Sequence, residues 1–147
     1  MPKIKYKEIQ NYKYEVAERY SIQTEIKPEK DIYEPDEDYP YIALLKDGTL
    51  SISPGYEWDG ASGIAVDTKN FMRGSLVHDA LYQLMRKNKI SLDHRDYADR
   101  LLQKICKEDG MTAFRANNVY YAVKLFGESS ASPTGKKETQ EIILEAP

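Results

Sequence analysis

Between Gly55 and Tyr82 the chain reads G-Y-E-W-D-G-A-S, then a polar connector, then L-V-H-D-A-L-Y. This stretch divides two periodicities, and that division most constrains the fold. Before it, apolar residues recur at every second position; after it, at every third or fourth. Such an order predicts strands first and helices after, an α+β chain with one small antiparallel sheet packed with a three-helix unit. Pro54 and Gly55 open the stretch, and Asp59-Gly60-Ala61-Ser62-Gly63 follows the only tryptophan, Trp58. Clusters of Gly, Asp and Ser predict a shaped loop, because Gly supplies positive φ and Asp bonds its own backbone. Neither strand nor helix is expected there.

On the strand side, Ile4, Tyr6, Tyr12, Tyr14, Val16, Tyr20 and Ile22 alternate loosely with charged residues. Residues 28–40 carry three prolines and several acids without periodicity, which predicts a solvated loop. The sharpest local signal is Y-I-A-L-L-K, Asp47-Gly48, T-L-S-I-S, a hairpin whose D-G pair suits a type I′ turn. Leu50 and Ile52 alternate with Thr49, Ser51 and Ser53, so one face of the returning strand is expected to be buried.

On the helix side, Val77, Leu81 and Leu84, with Ala80 beside them, make one stripe over 71–85. Ser91 or Asp93 can cap a second helix striped by Ala98, Leu101, Leu102 and Ile105 and ended by Gly110. Thr112 can cap a third, running to about Phe126, with Phe114, Asn118, Tyr121 and Leu125 on one edge. The first 127 residues read as a single domain. Residues 128–147 have linker composition ending in E-I-I-L-E-A-P, an apolar patch suited to docking.

Composition narrows the function classes. A net charge of −3 gives no global attraction to nucleic acid. No apolar run approaches the ~20 residues of a membrane span, and M-P-K-I-K-Y-K lacks the apolar core of a signal peptide. The single cysteine, Cys106, rules out an internal disulfide. Twelve tyrosines against three phenylalanines point to half-buried or partner-facing surfaces.

His78 and Asp79 are the candidate chemical residues. Adjacent on a helix, they point about 100° apart and can address one cavity from its wall. His78 suits a general base, needing a carboxylate to fix its tautomer. Asp99, on the fringe of the second stripe, can supply that carboxylate if the two helices are antiparallel; Arg115 and Arg95 are its alternative partners. Asp79 and Asp59, with loop carbonyls, can ligate a hard divalent cation such as calcium. The same residues also read as scaffold: Trp58, Asp59, His78, Asp79, Tyr82, Asp99 and Arg115 forming a buried polar network at the loop–helix junction.

The ordered motifs W-D-G-A-S, L-V-H-D-A-L-Y, R-x-x-A-D (Arg95 to Asp99) and R-A-x-x-x-Y-x-A-V-x-x-F-G (Arg115 to Gly127) resemble a family of unknown function found chiefly in tailed bacteriophages and prophages. The resemblance covers about residues 41–127 and implies a phage-encoded protein of the virion or host cytoplasm. A weaker similarity, to the helix pair of secreted phospholipases, implies a general base at His78, a calcium-binding carboxylate at Asp79 and a histidine-orienting one at Asp99. That family's Gly-rich calcium loop and disulfides are not matched. The leading expectation is therefore a virion-associated or assembly accessory protein, held by other phage structural proteins or by self-association through its tyrosine-rich sheet and tail. The alternative is a metal-assisted hydrolase of an ester or cell-envelope bond.

Overall fold

A computed structural model describes residues 3–10, 13–59, 68–127 and 131–132. The chain divides into two compact units, Met1–Asp59 and Gly60–Pro147. Among the described residues the strands belong to the first and the helices to the second, as an α+β order requires.

The first unit holds two antiparallel sheets rather than one. β1 (Tyr6–Gln10), β2 (Lys13–Val16) and β7 (Glu57–Asp59) pair in the order β1-β2-β7. β3 (Tyr20–Gln23), β4 (Ile32–Glu34), β5 (Ile42–Leu44) and β6 (Thr49–Ile52) pair in the order β3-β6-β5-β4. Two of these strands occupy segments expected to be loop. Glu57-Trp58-Asp59 is a strand because Tyr56 and Trp58 are buried while Glu57 faces solvent, a short period-two pattern, and Trp58 pairs with Tyr14. Ile32–Glu34 forms an edge against β5 in register Ile32↔Leu44, and an edge three residues long needs no alternation to be held from one side.

The hairpin forms as expected, with Leu44 opposite Leu50, but its turn is different. The Gly48 N–H donates to the Leu45 carbonyl at 2.9 Å, and positive φ is confined to Gly48 at 93°, with Asp47 outside that region. This is the longer turn closed by a left-handed glycine, not type I′, which needs two such residues. A Cβ at Gly48 would press on the Thr24 carbonyl, whose own N–H and hydroxyl are both bonded to the Gly48 carbonyl. The returning strand is covered on both faces: Ser51 is buried alongside Leu50 and Ile52 and accepts from Arg19 Nη1 at 3.1 Å. Tyr6, Tyr14 and Trp58 pack edge-on or tilted, with ring centroids 5.5 to 5.9 Å apart.

In the second unit α1 (Lys69–Arg86) is covered on most of its circumference, including Val77, Ala80, Leu81 and Leu84. Asn88, at φ 58°, ends it, and the Lys89 N–H returns to the Leu84 carbonyl. Ser91 accepts from the Asp93 N–H and caps a short 3-10 turn, Leu92–His94, that leads into α2 (Arg95–Glu108). Gly110 takes φ 101° after α2, and Thr112 accepts from the Arg115 N–H to cap α3 (Ala113–Phe126). Phe71, Leu102, Cys106, Met111, Ala116, Val119 and Val123 make one apolar cluster. The edge singled out for the third helix, Phe114, Asn118, Tyr121 and Leu125, faces outward, and Ala116, Val119 and Val123 turn inward instead. Residues 60–67, and all of 128–147 but 131–132, lie outside the described residues, so the loop's glycine half and most of the tail do too.

Candidate functional site

Gly74 of α1 faces Leu102 and Cys106, while His78 and Tyr82, one and two turns on, meet Asp99. The contacts run in opposite sequence directions, so α1 and α2 are antiparallel, the condition set for a His78–Asp99 pair. Gly74 permits the approach: a Cβ there would lie 2.9 Å from Leu102 Cδ1 and 3.1 Å from Cys106 Sγ.

The site's centre is Asp99. Its side chain is 1% exposed, and burying a carboxylate costs several kcal/mol unless hydrogen bonds replace its water. Two do. His78 Nε2 lies 2.7 Å from Asp99 Oδ1, and the Tyr82 hydroxyl donates to the same oxygen at 2.6 Å. An ionised carboxylate only accepts, so His78 carries its proton on Nε2 and leaves the Nδ1 lone pair as the basic position. Nδ1 has no hydrogen-bond partner among the described residues, and the His78 side chain is 13% exposed. His78 and Tyr82 lie one turn apart, with ring centroids 4.0 Å apart and planes tilted by 36°. Burial, then the Asp99 charge, pushes the Tyr82 hydroxyl far above the ordinary phenol range, so Tyr82 stays a donor.

Two supports were not visible at the level of motifs. Gly127 is bare because Tyr82 occupies the space a side chain would need; a Cβ would lie 2.6 Å from the Tyr82 hydroxyl. Arg95 is not the partner of Asp99. Its Nη2 donates to the carbonyls of Val123 and Lys124 at the end of α3, the first of which also accepts from the Gly127 N–H, while its buried Nε has no partner among the described residues. Its nearby positive charge partly offsets the upward shift of the Tyr82 hydroxyl. Arg95 thus braces the end of α3 close to Tyr82.

The remaining candidates are placed elsewhere. Arg115 Nη1 donates to Thr68 Oγ1 at 3.3 Å. Trp58 and Asp59 belong to the first unit, in β7. Asp79 is half-buried on α1. Among the described residues no group of three or more His, Cys, Asp or Glu side chains could hold a metal ion. No described helix is long and apolar enough to cross a membrane.

Sequence reasoning overlooked Arg73. It is 4% exposed, with Nε and Nη2 on Asp109 at 3.0 Å and Nη2 on Glu108 at 3.0 Å. This forked pair closes the C-terminal end of α2 onto α1, a structural role.

A family model described as "Protein of unknown function (DUF1353)" matches residues 34–123, more than half of the chain. No curated protein and no solved structure matches it.

Proposed function

The chain belongs to that family of unknown function, and on this footing we propose that it is a hydrolase of an ester or cell-envelope bond with His78 as general base. One observation carries the proposal. The His78 imidazole is anchored through Nε2 to a fully buried carboxylate, while its other nitrogen is unpartnered among the described residues. A histidine serving only as scaffold gains more by satisfying both nitrogens.

The chemistry follows from the tautomer. His78 Nδ1 takes a proton from a water molecule as the water oxygen bonds to the ester carbonyl carbon. The imidazolium is stabilised by Asp99, held in turn by Tyr82. The tetrahedral intermediate expels the alcohol oxygen, which receives the proton back from Nδ1. Asp99 acts through His78 and is a positioning residue. The ordered motifs support a phage-encoded origin, in the virion or the host cytoplasm, for which an envelope bond is a fitting target.

The test is hydrolysis of short-chain nitrophenyl esters, phospholipid vesicles and purified peptidoglycan. The wild type should turn over at least one. His78→Ala and Asp99→Asn should each lower kcat/KM by about a hundredfold or more while the fold persists. A wild type inert towards all three ends this reading.

A second reading, an assembly accessory held by neighbouring chains, draws on a separate observation. Tyr39, Phe114 and Leu125 are large apolar side chains left mostly in water. It expects the chain in fixed copy number in purified particles, measured by mass spectrometry. Absence from particles and from assembly intermediates removes it.

A further inference from the structure

α3 presents an exposed, largely apolar face, interrupted by Asn118, that no described residue covers. Phe114, Tyr121 and Leu125 are 78%, 59% and 74% exposed, and their spacing of seven and four residues puts them within about 40° of one line. The line runs for about 16 Å. α3 itself carries Arg115 and Lys124 and no Asp or Glu, with the Asp96 carboxylate of α2 near Lys124.

We propose that this face is the docking site of the chain's own segment Glu141-Ile142-Ile143-Leu144-Glu145. Three features of the chain support that occupant over others. The segment holds the only run of large apolar residues after Phe126, three in succession, between glutamates. From Glu138 to Pro147 the charged residues are Glu138, Glu141 and Glu145, with no Lys or Arg, complementary to Arg115 and Lys124. The connection has the right origin and reach. Ala131 is fully buried and its N–H bonds the Gly127 carbonyl at 3.1 Å, which fixes the tail's departure at the Leu125 end of α3. From Ser132 to Ile142 the chain extends up to about 33 Å, enough to run back along the whole line. A segment tethered this closely meets the face at high effective concentration, which favours it over a free partner of equal intrinsic affinity.

Hydrogen exchange of the full chain, read by mass spectrometry, tests the proposal. Amides of residues 141–145 should exchange about tenfold or more slowly than in the free peptide. Phe114→Ser with Leu125→Ser should abolish that protection while the rest of α3 keeps its own. The reciprocal variant Leu144→Asp, on the tail itself, should abolish it without touching the helices. Protection should be unchanged over about a hundredfold dilution. Unprotected amides would overturn the proposal, as would protection that survives both variants. Protection lost on dilution would assign the face to a second copy and equally overturn it.

Discussion

At the scale of single residues, Asp99 organises the second unit because a buried carboxylate cannot be left unsatisfied. Both of its bonds fall on Oδ1, so each donor is separately testable. Tyr82→Phe removes one donor and keeps the ring; it should cost about 1–2 kcal/mol, read as a lower urea midpoint at unchanged slope. A loss below a few tenths would mean that Asp99 is satisfied without Tyr82. Cys106 shows the opposite environment. Burial, then the nearby Asp109 charge, pushes its thiol up to about 12. The folded protein should therefore resist alkylation near neutral pH and react on unfolding; rapid labelling of the native state would show the packing around Cys106 to be open. Little of this pairing is legible in sequence. The H-D and A-D pairs mark candidates, but whether Asp99 meets His78, Arg95 or Arg115 depends on packing between helices.

At the scale of elements, caps and stops were the most readable features because they are decided within four residues. Ser91, Thr112 and Gly110 all do what their chemistry predicts. Gly110 and Gly74 are both glycines for different reasons, and their substitutions should differ accordingly. A Cβ at Gly110 meets nothing within 4 Å, so Gly110→Ala costs only the left-handed backbone strain, about 1 kcal/mol. Gly74→Val drives atoms into Leu102 and Cys106 and should cost about 1–3 kcal/mol while spreading α1 from α2. Thermal melts of both variants check the order. If Gly74→Val melted above Gly110→Ala, the two helices would be packed more loosely than these distances require. The misread elements are the short ones. β4 and β7 have three residues each, too few for a period to stand out against prolines and glycines, and each exists because a neighbouring strand offers it a partner.

At the scale of the whole molecule, the buried ionisable groups set how stability responds to pH. Tyr82 and Cys106 both titrate higher in the folded chain than their ordinary values, 10.0 and 9.0. The folded state thus holds their protons more tightly than the unfolded one. Their contribution is fully present below the unfolded pKa values and is lost as pH rises towards the folded ones. The urea midpoint should accordingly fall as pH climbs from about 9 towards about 12, and Cys106→Ala should flatten the first part of that fall. A wild type and variant with parallel pH profiles would mean that the thiol is not protected by the fold.

What the sequence determined by itself was local: strands before helices, the hairpin at Asp47-Gly48, the caps, and a helix carrying His78 and Asp79. Each follows from periodicity or from φ preferences a few residues wide. Only the tertiary structure decided that the strands part into two sheets and that Trp58 lies in one of them. It also decided that Asp99 takes His78 and Tyr82 while Arg95 turns to the end of α3. These outcomes depend on which side chains meet across 17 residues or more once helices pack. That contest is settled by close approach at Gly74 and Gly127 and by the cost of leaving a buried carboxylate bare, and no local pattern encodes it.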